Sequence, residues 1–131
     1  MPLPSLKEGG QGLGNAIFKT NRVSVVLCKN PESGKYLAVS DIRGWSLPQG
    51  YVDDNETFKE AAIRETMEEA RIQIELKGLL KISHQTVFEN GENHAMQFVV
   101  FYAEPIDVKA QPKLDADFES LGAKWVTIEE F

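Results

Sequence analysis

The chain has 131 residues, 42% of them apolar and 26% charged, with a formal net charge of −6. That length makes one domain able to bury about two-thirds of the surface its unfolded form exposes, so folding requires neither disulfides nor a structural metal. The acidic balance argues against general binding to a nucleic-acid backbone, which needs clustered Lys and Arg, and no run approaches the ~18 apolar residues of a membrane span.

Residues 1–15 hold four of the ten glycines (Gly9, Gly10, Gly12 and Gly14) and two prolines. This composition predicts a flexible leader. It is not a phosphate loop, because no strand pattern precedes it and no Gly-Lys-Ser/Thr follows. It is not a secretory signal either, because no basic segment leads into an apolar one. Residues 16–131 read as a single domain without internal repeats.

Arg22 to Cys28 is an apolar, β-branched run that predicts a buried strand, and Lys35 to Ser40 predicts its hairpin partner across a turn at Pro31 to Gly34. Cys28 is the single cysteine. Its place in an apolar strand marks it as a core residue of a protein in a reducing compartment, and a cytoplasmic location is expected. Ile72 to Leu76 and Leu79 to Phe88 read as two further strands. Asn90-Gly91 is a strong two-residue hairpin signal returning the chain through His94 to Glu104. Lys124 to Val126 is one more short strand. A helix among strands gives a mixed α/β domain.

That helix carries the chemistry. Thr57 and Glu60 form a T-x-x-E capping box, which predicts a helix from Phe58 to Ala70. At about 100° per residue, Glu65 and Glu69 lie about 40° apart and Glu68 about 60° to the other side of Glu65. Phe58, Ala61 and Ala62 project into the same arc one to two turns earlier. A second apolar arc of Ile63, Thr66, Met67 and Ala70 implies cover on another face. Two readings fit the acids. One is a solvated face laced with pairs such as Glu60 to Arg64 and Arg64 to Glu68, each worth a few tenths of a kcal/mol. The other is a site for a hard divalent cation, which prefers oxygen ligands and offsets repulsion between neighbouring carboxylates.

Gly50, Glu56 and the stretch Arg64-Glu65-Thr66-Met67-Glu68-Glu69-Ala70-Arg71-Ile72 resemble the signature box of the Nudix hydrolases, G-x5-E-x7-R-E-U-x-E-E-x-G-U with U apolar. Of its nine defined positions, seven match: Gly50, Glu56, Arg64, Glu65, Glu68, Glu69 and Ile72. Trp45-Ser46-Leu47-Pro48-Gln49 also resembles the family's lead-in. Thr66 stands where an aliphatic residue is usual, and its hydroxyl can bond back to the Ala62 carbonyl. Arg71 replaces a glycine; keeping a left-handed backbone there costs about 1 kcal/mol.

The resemblance implies a Nudix-type α/β/α sandwich with a mixed sheet and one box helix. It also implies that this chain lacks the usual C-terminal helix. The implied activity is hydrolysis of the diphosphate bond of a nucleoside diphosphate linked to another group, with Mg2+, or alternatively Mn2+, as cofactor. By analogy, Glu65, Glu68 and Glu69 hold the metal, with Glu65 either a ligand or the base that takes the water proton. The backbone carbonyl of Gln49 or Gly50 adds a ligand, Arg64 holds the acids by ion pairing, and Glu56 supports the loop or binds a metal through water. Glu119, ahead of the last strand, is the expected late acid of the metal set, followed by Glu89 and Glu92. Gln49, Tyr51 and Phe88 are the expected substrate contacts, the two aromatics by stacking on a base. His84 and His94 lie too far apart for zinc.

The partner implied is a small phosphoanhydride, neither a membrane nor a nucleic-acid backbone; the oligomeric state is left open. The resemblance points to a nucleotide or dinucleoside polyphosphate as substrate, without naming which. Val87 stands about fifteen residues after the box, where the family's ADP-ribose enzymes carry proline, and Phe88 where many dinucleoside polyphosphate enzymes carry tyrosine. Two rivals are a diphosphoinositol phosphohydrolase, which needs a basic pocket that the scattered Lys and Arg do not announce, and a silent domain that binds nucleotide or a protein, which loss of box acids would indicate.

Overall fold

The computed structural model describes residues 18–41, 44–114 and 122–131. The leader over residues 1–15 and Glu119 lie outside them. In chain order come β1 (Phe18–Cys28), β2 (Tyr36–Asp41), β3 (Gly44–Ser46), β4 (Gln49–Tyr51), α1 (Phe58–Ala70), β5 (Ile74–Glu89), β6 (Glu92–Pro105), β7 (Ala123–Val126) and a 3-10 turn at Ile128–Glu130.

Two sheets form, ordered β4-β1-β6-β5 and β3-β2-β7. The first is mixed, because β1 runs parallel to β6 but antiparallel to β4. This is the α/β arrangement of one box helix with a mixed sheet. The hairpin expected between the first two strands does not form. Beyond one bridge from Lys29 to Tyr36, β2 pairs with β3 and β7. The reason is that both edges of β1 are already taken. Asn30, 3% exposed, also organises the turn: its Oδ1 accepts from Glu32 N and Ser33 N while its Nδ2 donates to Val108 O.

The two strands expected between Ile72 and Phe88 are one. Irregularities between Leu76 and Gly78 and between Leu79 and Lys81 let the chain absorb extra residues without leaving the sheet, as bulges do. At the Asn90-Gly91 turn both residues have positive φ, 52° and 75°, which is the two-residue hairpin geometry that matches strand twist.

The helix has the bounds its capping box dictates. Thr57 Oγ1 accepts from Glu60 N at 3.1 Å, and Glu60 Oε1 accepts from Thr57 N at 2.9 Å. Ala61, Ala62, Thr66 and Ala70 are fully buried; their small size lets the helix axis approach the strands. The second apolar arc is only half covered, since Ile63 and Met67 remain 44% and 36% exposed. Val26, Leu37, Ile72 and Phe101 fill the space among helix and sheets. Cys28 lies there too, fully buried, its thiol pushed up to about 12 first by burial and then by Glu104. No helix among the described residues is long and apolar enough to cross a membrane.

Candidate functional site

Strand β4 sets the site's floor. It pairs antiparallel with β1, with Gly50 opposite Ser24, and so lies beside α1. A Cβ on Gly50 would collide with the Glu65 carboxylate. Glycine is needed at this point for close approach of an acid to the backbone, not for an unusual φ.

Arg64 is the hub. Its Nε and Nη2 grip Glu56 Oε2 and Oε1 as a fork, the second at 2.9 Å. Nη1 donates to Glu65 Oε1 at 2.8 Å and Glu68 Oε1 at 2.7 Å. Nη2 also donates to the Tyr51 carbonyl at 3.0 Å. A guanidinium has five N–H groups, and every one is committed here. Asp53 Oδ2 lies 3.6 Å from Nη2. Planar, bidentate donors fix acceptor positions in a way a lysine ammonium cannot.

Glu56 in turn ties the loop that leads into the helix, accepting from Asp53 N at 2.9 Å. The bond from Arg64, and then the Asp53 N–H, hold its carboxyl down at about 2 from an ordinary 4.5. Arg64 is pushed up in the same exchange, chiefly by Glu56. Glu69, one residue beyond Glu68, accepts from Gln49 N at 2.9 Å. The helix ends on Arg71, which keeps the left-handed backbone at φ 58° and ψ 36° while its N–H caps Met67 O at 2.9 Å. Thr66 Oγ1 bonds back to Ala62 O at 2.8 Å.

The structure therefore gathers Gly50, Glu56, Arg64, Glu65 and Glu68, with Glu69 beside them. Gln49 and Tyr51 reach this group through their main chains, while the Tyr51 side chain is mostly exposed. Phe88 is not brought there. Tyr51 aligns across the sheet with Val23, Phe98 and Ser83, so Phe88 lies three strands over and five residues further along, roughly 20 Å away. Glu89 and Glu92 share that distant corner, and His84 and His94 are offset along β5 and β6.

One residue was not foreseen. Lys113, 4% exposed, donates from Nζ to Glu68 O at 3.1 Å and from its N–H to Ala70 O at 2.8 Å. It supplies a cation at the C-terminal end of α1, whose own last turn has no basic residue. No periodicity or motif marks a lysine for that task.

The donor set suits a hard cation: Glu56, Glu65 and Glu68 surround a single guanidinium, with Glu69 adjacent, and carboxylate oxygen is what such ions prefer. Among the described residues no three acidic, histidine or cysteine side chains already converge on one point. Glu65 and Glu68 are turned toward Arg64, and Glu69 toward Gln49 N.

A sheet-bound acidic helix braced by one arginine defines a class, and comparison with known proteins gives the family. The model described as NUDIX domain matches residues 19–131, and the chain belongs to the Nudix family. It is 27% identical over 130 residues to "Nucleoside diphosphate-linked moiety X motif 6" of Xenopus laevis, covering 95% of this chain and 58% of that protein. Nudix hydrolase 6 of Arabidopsis thaliana is 33% identical over 113 residues, covering 78% and 37%. A NUDIX hydrolase structure from Nitrosomonas europaea superposes with a TM-score of 0.62 at 26% identity, covering 86% and 75%. A UDP-X diphosphatase shares the fold, with a TM-score of 0.64 at 16% identity, covering 100% and 62%. The chain spans 32% to 58% of the length of the curated relatives it matches.

Proposed function

We propose that this chain hydrolyses the diphosphate bond of a nucleoside diphosphate linked to another group, with Mg2+ as cofactor and Mn2+ as the alternative. The observation that carries the reading is the Arg64 hub, whose committed N–H groups hold Glu56, Glu65 and Glu68 in one arrangement against β4. Such bracing fits acids that must keep a fixed spacing as a polyphosphate arrives. The names of the Xenopus relative and of the UDP-X diphosphatase support the same substrate class.

Glu65, Glu68 and Glu69, with the Gly50 carbonyl, would hold the metal, and Glu119 is the proposed late acid. The ion, when bound, neutralises phosphate charge and lowers the pKa of a coordinated water. Water adds to phosphorus, the bridging P–O bond breaks, and the water's proton passes to a carboxylate, for which Glu65 is the candidate base. Arg64 keeps that carboxylate oriented, and Glu56 anchors both Arg64 and the loop at Asp53. Gln49 and Tyr51 border the space where substrate would lie. The buried Cys28 supports a cytoplasmic, reducing location.

A panel of nucleotides, dinucleotides, nucleotide sugars and diphosphoinositols, each with Mg2+, tests the proposal by product release from the native chain and Glu69→Gln. Hydrolysis of a nucleoside diphosphate derivative that falls at least a hundredfold in the variant is expected. Equal turnover in both proteins removes Glu69 from the mechanism.

A further inference from the structure

Strand β5 is an edge of its sheet: it pairs with β6 and, among the described residues, with nothing on its other side. Its register to β6 is regular from Lys81 to Glu89, a span of about 30 Å. Natural proteins usually blunt an edge of this length with proline, bulges or charged side chains. This stretch has no proline or bulge, carries its two charges, Lys81 and Glu89, at its ends, and displays Ile82 at 67% and Phe88 at 70% exposure between them.

The order of side chains says what fits against it. Two copies of one strand can pair antiparallel about a two-fold axis perpendicular to the sheet. Directly opposed residues then lie on the same face, so each allowed register centres on a residue. Centring on Gln85 sets Lys81 opposite Glu89 and Ile82 opposite Phe88, and symmetry repeats both pairs. Ile82 and Phe88 share one face, since they align with Val99 and Asn93 six residues apart on β6. Moving the centre to His84 sets Lys81 against Val87 and Ile82 against Thr86, and moving it to Ser83 sets Lys81 against Gln85 and Ile82 against His84. Only the Gln85 register gives opposite charges and a large aliphatic-aromatic pair at once, the two kinds of cross-strand contact that stabilise sheets. Neither Lys81 nor Glu89 has an ion-pair partner within its own chain among the described residues.

We infer that the Lys81–Glu89 edge of β5 binds a second copy of this chain, joining two four-stranded sheets into one continuous sheet through antiparallel pairing centred on Gln85. Phe88 then covers the partner's Ile82. The interface is narrow, so the dimer is in reversible exchange with monomer.

Charge reversal tests both partner and register. Sedimentation velocity over a concentration series should show native chain in monomer–dimer exchange. Lys81→Glu sets two glutamate pairs face to face, and Glu89→Lys two lysine pairs; each lowers the association constant at least tenfold, because symmetry doubles every substitution. Mixing the two variants sets the paired glutamates of one chain against the paired lysines of the other and restores association, as does the double variant K81E/E89K with itself. Circular dichroism melts confirm that each variant folds. A native chain that stays monomeric up to its solubility limit overturns the inference, and so does native-like self-association of Lys81→Glu or a mixture that fails to associate.

Discussion

Gly50→Ala is the most direct probe of how the acids are held. Gly50 has no positive φ, so alanine is acceptable to the backbone and the whole effect comes from where its Cβ falls, on the Glu65 carboxylate. Glu65 must swing away and lose its 2.8 Å bond from Arg64. That carboxylate is 15% exposed, and a charge-assisted bond in such a place is worth about 1.5–3 kcal/mol. Against it stands about 0.4–1 kcal/mol gained because alanine restricts the unfolded chain. The net loss of about 1–2 kcal/mol lowers the melting temperature by about 3–8 °C in a chain of this size. Activity should suffer far more: with Glu65 as the proposed base, its displacement lowers kcat by roughly 100-fold or more. Melting followed by circular dichroism, together with hydrolysis at saturating Mg2+, reads both numbers. Native melting and native turnover in Gly50→Ala would show that Glu65 does not need its seat against β4.

Arg64→Lys keeps a charge but loses the fork, and leaves Glu56 with at most one of its two guanidinium bonds; a stability loss of about 2–4 kcal/mol in urea titration is expected, with turnover reduced at least tenfold. Arg71→Gly relieves a left-handed residue at the end of α1 and should stabilise the protein by about 1 kcal/mol, read as a higher urea midpoint at unchanged slope. Glu56 makes a pH signature. Its folded carboxyl lies near 2, below the ordinary 4.5, so its contribution is fully present above about pH 4.5 and is lost as pH falls toward 2. Native protein should therefore lose stability more steeply than Glu56→Gln across that window, and parallel pH profiles would contradict the Arg64–Glu56 pairing.

The box helix was legible to the residue because its determinants are local. Thr57 and Glu60 satisfy each other's backbone N–H groups, and Arg71 ends the helix in the left-handed turn that the sequence position demands. The Asn90-Gly91 hairpin was legible for the same reason. What escaped depends on contacts between distant segments. The partner of β2 could not be read from its own residues, because the open edge it finds belongs to β7, while β1 is already enclosed by β4 and β6. Strands β3 and β4 are three residues each, too short for an alternating pattern. Lys77-Gly78 reads as a break until a bulge keeps the strand whole. At the site, the carboxylates follow from spacing, but the bonds from Gln49 N to Glu69, from Arg64 to the Tyr51 carbonyl and from the Lys113 amine to the Glu68 main-chain carbonyl form only through the tertiary fold.

Cys28 offers a practical opening. Its thiol is fully enclosed and pushed up to about 12, so at neutral pH it presents almost no thiolate to an alkylating reagent. With no other cysteine in the chain, a thiol introduced on the surface becomes the single reactive handle. A spin label or fluorophore can then be attached at any chosen exposed position of the native background, without first stripping out a competing sulfur.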